Sequence, residues 1–436
     1  CECRRNIATH GASLEMSSPA PRVVVLGAGV AGLEAALLLA RQLAGRVDVH
    51  VVSDSDEFVL RPNLVYVPFG ADLTASRLFL DETLARAEIQ RERGTVEGVD
   101  TDIGRVHLVN GRQLPYEHLV IATGAASWPH AVPGLDEHAV SIWEPARMLT
   151  LRERFLHIRG RAREGARQRV LFVVPRHNRY SLPLYEVALM FDTWLRREGV
   201  REQVELGFVT QEASFAEAAG PRMHEVIERE FAERRIDARA SERVVEVRPH
   251  DASFAGGSVE RFDLLVAAPP HRAGVRLDGL PVDEHGFVRV QTPTRQVVDH
   301  PELYAPGDAG DFPLKDTLLA LLQADAVAHH IAAVVAGQRF DRPFEPTSMQ
   351  IIDMLDKAAF AQLTLETTGD PDHPVRPRAD GADEYKVGVS RRWRAAKRMF
   401  SSYLLMQFAA GEPFRTGPGW RFMDLGVRAM AGMLSD

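Results

Sequence analysis

The loop Gly27-Ala-Gly29-Val-Ala-Gly32 constrains this chain more than any other stretch of its 436 residues. It follows Arg22-Val-Val-Val-Leu26, a β-branched run suited to a fully buried parallel strand. It precedes Leu33 to Leu43, which is rich in strong helix formers, and Gly45 is placed to end that helix. Val47 to Val52 then supplies a second buried strand. Strand, glycine loop, helix and strand within roughly 30 residues make a right-handed βαβ unit. In such a loop the first glycine permits the tight turn and the second lets a pyrophosphate approach the backbone. The third allows close helix–strand packing, and the helix N-terminus adds free N–H groups with a partial positive charge. Alone, a glycine-rich helix start is a weak signal. In this setting it points to a bound dinucleotide. The ribose partner at the end of the second strand is either Asp54 or Ser53, and Asp54 reads equally as a solvated turn acid.

A chain of this length calls for two or three packed units. Hydrophobic residues at 45% and charged residues at 26% are those of an ordinary globular protein. A net charge of -8 lacks the basic surface that phosphate contacts need, which excludes a general nucleic-acid binder. No run of about 18 uncharged apolar residues occurs. Leu318 to Val335 is interrupted by Gln323, Asp325, His329 and His330, and reads as a helix packed inside protein. Both cysteines, Cys1 and Cys3, precede Met16, whose Ser17-Ser18-Pro19 continuation looks like a natural start. Residues 1–20 therefore read as a leader or an expression scar, with a lipid-bearing Cys1 as the lesser option and the cytoplasm as the default location. The absence of cysteine from 4–436 excludes a disulfide framework and a cysteine metal site there. His329-His330 has no acidic or sulfur partners at ligand spacing, so no metal is expected.

Farther along, Leu119-Val-Ile121 is another buried strand before Ala122-Thr123-Gly124, and residues 151–168 are Arg-rich and helical. Val170-Leu-Phe-Val-Val174 opens a second βα unit with a helix from Leu184 to Arg197, completed by strand-like runs at 204–209, 243–247 and 262–268. A strand near Leu303-Tyr304 precedes Gly307-Asp308, and a helix runs from about Asp316 to Ala336. The fold class is α/β, with two Rossmann-like dinucleotide-binding domains and a C-terminal helical region. The expected partition is 21–140 and 260–340 for the first domain, 141–259 for the second, and 341–436 for the C-terminal part.

Two further segments separate FAD from NAD. Tyr116-Glu-His-Leu-Val-Ile-Ala-Thr-Gly124 resembles the YDxLVIATG segment of FAD-dependent pyridine-nucleotide-type oxidoreductases, and Leu303-Tyr-Ala-Pro-Gly-Asp308 resembles their VFAxGD segment, whose Asp binds the ribityl chain. Phe262 to Pro270 with its double proline, Gly286-Phe-Val-Arg-Val290 with Thr294, and Leu182-Pro-Leu-Tyr-Glu186 are similar to sulfide:quinone oxidoreductases and flavocytochrome c sulfide dehydrogenases. The resemblance implies FAD as cofactor, held by Gly27, Ala28, Gly29, Ala31, Gly32, Ser53 or Asp54, Arg61, Val96, Ala122, Thr123, Gly124, Gly307, Asp308 and Lys315. It implies a cationic Lys315 near the flavin pyrimidine ring, where positive charge stabilises reduced flavin. Gln323 stands where related quinone reductases put a glutamine near their quinone. Lys315 and Gln323 are thus the candidate catalytic pair, although a surface lysine and an inward polar residue are the plain alternatives. Glu186 is a candidate proton carrier by the same analogy.

Departures from the family matter as much. The positions of its redox cysteines hold Trp143, in Val140-Ser-Ile-Trp143, and fall near Tyr180. Neither residue can form a persulfide or a flavin adduct, so the family's sulfide chemistry is not expected. Oxidation of NADH needs a second glycine loop, but Val173-Val-Pro-Arg-His-Asn-Arg-Tyr-Ser-Leu-Pro183 has none, although Arg176 and Arg179 could bind another anion. In the C-terminal region, Arg391 to Arg398 is basic. Met399, Phe400, Tyr403, Leu404 and Phe408 follow at helical spacing, then Trp420, Met423, Val427, Met430 and Leu434. Such stripes suit a helix lying in a lipid interface, or equally domain or homodimer packing; the family's monotopic attachment favours the membrane, on the inner face of the plasma membrane. The leading expectation is a flavoprotein passing electrons from an unidentified donor to a quinone-like small-molecule acceptor. The alternatives are an NAD(P)H dehydrogenase and a non-catalytic flavin-binding scaffold.

Overall fold

The computed structural model describes residues 20–370, 373–378 and 385–435; the expected leader lies outside them apart from Ala20. β1 (Arg22–Leu26), α1 (Val30–Gln42) and β2 (Asp48–Ser53) form the expected unit. β3 (Gln90–Arg93) and β4 (His118–Ile121) extend its sheet. A second series follows: β5 (Ala139–Ser141), α2 (Pro145–Arg163), β6 (Gln168–Val174), α3 (Leu182–Arg197), β7 (Val204–Thr210), α4 (Pro221–Arg234), β8 (Ile236–Arg239) and β9 (Leu264–Ala267). The chain then returns through β10 (Gln296–Val297) and β11 (His300–Tyr304) into α5 (Thr317–Ala336). β12 (Thr347–Asp353), β13 (Ala358–Thr367), β14 (Val375–Pro377) and β15 (Lys386–Ser390) lead to α6 (Arg391–Ala409) and α7 (Gly417–Leu434).

The first sheet has the order β10-β11-β4-β1-β2-β3, parallel except for the β10–β11 pair. The second, β5-β9-β6-β7-β8, is wholly parallel. Val23, Val24, Val25 and Leu26 are all fully buried, as the uninterrupted β-branched run requires of a strand covered on both faces. α1 and α5 pack together against the first sheet through Leu33, Leu37, Leu321, Ala324 and Ala328. By length and composition α5 is the one helix among the described residues apolar enough to cross a membrane, yet half of it is buried in this interface.

Three expectations change. β5 and β9 lie in the second sheet, so the second unit runs from about 139 to 267, and the chain re-enters the first at 271–273, where a short strand pairs with 125–127. The run at 243–247 leaves the parallel sheet for a three-stranded antiparallel one, with Val244 and Val247 inward and Val245 outward. The C-terminal region is not helical alone. β12, β14 and β15 surround β13 as an antiparallel sheet on which α6 packs, with Trp393 stacked on Phe360 at 3.8 Å between ring centroids.

Candidate active site

At the crossing of these units lies a cavity of about 600 Å³, within the range of small-molecule and cofactor sites. One end is the glycine loop. Gly27 has φ +98° and its N–H reaches Val52 O at 2.8 Å; a Cβ there would stand 2.4 Å from Ala122 O. A Cβ on Gly32 would stand 2.0 Å from Gly27 O, so close strand–helix packing demands both glycines. A Cβ on Gly29 would meet nothing, because that position opens on the cavity. No side chain of the described residues caps α1, and its first turn carries no acidic residue, which leaves its N–H groups for an anion. A dinucleotide diphosphate fits this cradle. Ala28, Ala31, Val96, Ala122, Thr123 and Gly124 line the same space.

Ser53 and Asp54 both reach the cavity. Ser53 Oγ is engaged with Ser55 N–H at 3.2 Å, whereas Asp54 is exposed at the rim. Gly307 (φ +67°) sets the second crossing, and a Cβ there would lie 2.7 Å from Ala31 Cβ. Gly307 and Gly32 therefore shape the site from behind the lining. So does Gln323, and here the expectation is corrected. It is 1% exposed, does not line the cavity, and accepts the N–H of Gly307 through Oε1 at 2.9 Å. Its carboxamide satisfies a buried backbone donor that would otherwise lack a partner.

Lys315 does face the cavity. Its ammonium is buried, donates to Gly310 O at 2.5 Å and lies 3.9 Å from the Phe287 ring. Burial pulls its pKa down to about 7 against the attraction of Asp308, and burial likewise raises Asp308 despite Lys315 and Arg61. Asp316 caps α5 by accepting Leu319 N–H at 3.0 Å, and Tyr180 Oη approaches it at 3.2 Å; burial pushes its pKa up to about 6. Arg61 keeps accessible surface because it faces the cavity, although surrounding protein lowers its pKa by desolvation.

The far end is built by residues the sequence did not single out together. Lys397 of α6 donates to Glu186 of α3, while the N–H of Asp353 reaches the same Oε1 at 3.1 Å. Burial raises Glu186 to about 7 against the opposing Lys397 charge. Arg394 donates to buried Asp353 at 2.7 Å, and Tyr66 donates to its other oxygen at 3.0 Å. The basic start of α6 is thus partly turned inward, and Phe400, Ser401 and Leu404 line the cavity. Trp393, Ala396, Leu404 and Phe408 of α6 are buried, while Met399 and Met406 are exposed. The charge run gave one signal: Arg394 and Lys397 are three apart and share a helix face.

The second unit's loop, 175–181, offers no cradle. Asn178 donates to Pro269 O at 2.7 Å, Arg179 N–H to His271 Nδ1 at 3.1 Å, and Lys315 N–H to Arg179 O at 3.0 Å. Arg179 is 3.7 Å from Asp283 and lies over Phe287, so it is not a solvated loop residue. Among the described residues no cluster of His, Cys, Asp or Glu could hold a metal.

Residues 21–159 match the family model of the pyridine nucleotide-disulphide oxidoreductases. An NADH dehydrogenase-like protein of Mycobacterium tuberculosis is 26% identical over 74% of this chain and 82% of its own length. The sulfide-quinone reductase of Aquifex aeolicus is 28% identical over 53% of each. The crystal structure of the sulfide:quinone oxidoreductase from Aquifex aeolicus superposes with a TM-score of 0.82 at 21% identity, covering 93% of this chain and 95% of that one. With the site described above, these findings define an FAD-dependent oxidoreductase built on two dinucleotide-binding folds. Within that class its similarities run to the sulfide:quinone oxidoreductase-like branch.

Proposed function

We propose that the chain takes electrons from a small-molecule donor into FAD and passes them to a quinone-like acceptor held against α6. One observation carries the reading: a single cavity joins the glycine loop to Lys397, Phe400 and Leu404, so a cofactor and a second apolar molecule share one space. FAD would supply the two-electron chemistry, while the protein binds, orients and moves protons. Lys315 and the N-terminus of α5 place positive charge beside Asp308, favouring an electron-rich cofactor. Glu186, poised near 7, holds or releases a proton at its carboxyl on the acceptor side, and Lys397 offsets its charge. Reduction of a quinone to a quinol takes up two protons with its two electrons, and such a group would relay one of them. Trp143 and Tyr180 replace the family's thiols, so the donor is oxidised without a persulfide relay.

NADH as donor is favoured by the description of the mycobacterial relative and opposed by the stitched loop at 175–181. The acceptor is lipid-soluble, which suits attachment at a membrane surface through the exposed apolar residues of α7.

Anaerobic stopped-flow absorbance separates these readings. Flavin reduced by dithionite should be reoxidised by a short-chain quinone at least ten-fold faster than free FADH2, and Lys397→Met should slow that step. NADH should leave the flavin yellow. Reoxidation no faster than free flavin ends the quinone reading, and rapid bleaching by NADH replaces the donor assignment.

A further inference from the structure

Asp316 caps α5 with one carboxyl oxygen and keeps the other for a hydroxyl. Its Oδ1 accepts the N–H of Leu319 at 3.0 Å, while Tyr180 Oη lies 3.2 Å from Oδ2. The same Oη lies 3.1 Å from Oε1 of Gln350 on β12, whose Nε2 donates to Ser348 Oγ at 2.5 Å. Tyr180 thus has one hydroxyl hydrogen and two oxygens facing it. With Asp316 ionised, that hydrogen points to Oδ2, and Gln350 Oε1 goes without it. With Asp316 protonated, the carboxyl hydrogen points to Oη, the Tyr180 hydrogen turns to Gln350, and both oxygens are served. Turning one hydroxyl lets the carboxyl gain a proton while the heavy atoms stay in place. Asp316, Tyr180 and Gln350 all line the cavity, as does Lys315.

The surroundings leave Asp316 close to balance. Its hydrogen-bond partners are neutral: Tyr180 Oη and the N–H groups of Leu318 and Leu319. Lys315, its neighbour in sequence, directs its ammonium to Gly310 O and is attracted to Asp308 instead. The carboxylates that bear on the pair are Asp308 and, through Tyr180, Glu186. Burial raises the Asp316 pKa, the hydrogen bonds at the start of α5 oppose it, and the group settles at about 6. At neutral pH it is mostly ionised. A unit negative charge within about 10 Å raises proton affinity about ten-fold or more at an effective dielectric of about 20.

We propose that Asp316 takes up a proton when the cofactor in this cavity is reduced, and that Tyr180 turns from Asp316 to Gln350 as it does so. The inference rests on the reading that the cavity holds FAD, and it says where a proton is kept between donor and acceptor. As the donor gives up two electrons, the reduced flavin, with one negative charge, holds both of them and one proton from solvent. Asp316 holds a second proton from solvent. The quinol then receives both electrons and both protons, one of them by way of Glu186, and Asp316 returns to carboxylate. Asp316 touches neither donor nor acceptor in this scheme, because the linkage acts through the charge of the reduced cofactor.

The test follows the flavin midpoint potential of FAD-loaded protein between pH 6 and pH 8 by spectroelectrochemistry, which needs no donor or acceptor. The slope against pH counts protons bound per two electrons. Asp316→Asn keeps the cap on α5 and an N–H for Tyr180, but holds its hydrogen in both redox states. Near pH 7 the wild-type count should exceed that of Asp316→Asn by about half a proton or more. Tyr180→Phe removes the donor to the carboxylate and should move the window of extra uptake to higher pH. Reduced-minus-oxidised infrared spectra of wild type at pH 7 should gain a carboxylic acid C=O band that Asp316→Asn lacks. Equal slopes in loaded wild type and Asp316→Asn, an unmoved window in loaded Tyr180→Phe, or no such band in wild type overturns the inference while leaving the flavoprotein reading intact. A protein that takes up no FAD overturns the reading beneath it as well.

Discussion

Glu34, buried on the helix that starts at the glycine loop, and Asp325, partly buried on the helix that starts beside Lys315, bring two carboxyl groups together. Glu34 accepts the N–H groups of Phe414 at 2.7 Å and Arg415 at 3.3 Å, and Asp325 accepts from the Arg415 guanidinium at 2.5 Å. The turn between α6 and α7 is thereby fastened to both helices that frame the cofactor cradle. Asp325 Oδ1 lacks a donor unless Glu34 carries a proton, and burial together with the Asp325 charge raises Glu34 to about 8.

The pH dependence follows from that proton. An unfolded Glu ionises near 4.3, whereas the folded group keeps its proton to about 8, so the folded state binds more protons in between. The stabilisation is complete below the unfolded value and is lost as pH rises through about 8. Glu34→Gln keeps an amide donor for Asp325 and an acceptor for Phe414, but cannot ionise. From pH 6 to pH 8 the variant should gain on the order of 2 kcal/mol relative to wild type. Melting midpoints of both proteins across that range check it, and parallel curves sink the shared-proton assignment.

Gln323 gives a second prediction, which separates its observed role from the expected one. Gln323→Leu leaves the buried N–H of Gly307 without its partner, at a cost of about 1–3 kcal/mol. Because Gly307 adjoins Asp308, the loss should appear as roughly ten-fold weaker FAD binding, as 1.4 kcal/mol is ten-fold in an equilibrium constant. The quinone KM of the loaded enzyme should not move. Unchanged FAD affinity with a raised quinone KM would restore Gln323 to the acceptor site.

The cofactor end was legible because steric necessity is written in single residues: Gly27 and Gly32 exclude a Cβ against backbone, and Gly307 excludes one against Ala31. Lys315, which only the resemblance singled out, faces the same cavity. The acceptor end was not legible, since Glu186 and Lys397 are separated by 211 positions and only tertiary packing joins them. The sheet from 347 to 390 also escaped reading. Ala359, Phe360 and Ala361 are fully buried on both faces of β13, and that erases the alternation by which an antiparallel strand is recognised. The hydrogen bond from the Arg179 N–H to His271 Nδ1 joins segments 92 positions apart, which no local pattern encodes.

α7 carries two apolar faces, and only one is packed. Met423 and Ala431 are buried and Met430 and Leu434 pack beside Trp393, so most of the stripe read from the sequence faces protein. Phe422, Leu425 and Met433 form the other face, at 78%, 68% and 69% exposure. Full burial of side chains of this size is worth about 1.5–3 kcal/mol each, so partial insertion of three supplies several kcal/mol of membrane affinity. Phe422→Ser, Leu425→Ser and Met433→Ser together should lower vesicle partitioning at least a hundred-fold. The melting midpoint should hold within a degree or two, because these side chains leave little packing to lose. Cutting the chain before α6 is a poorer test, since Lys397, Phe400 and Leu404 wall the cavity and would be removed with it. Flotation with liposomes of mixed neutral and anionic lipid measures the effect, and equal flotation of the triple variant and wild type rules out this face as the anchor.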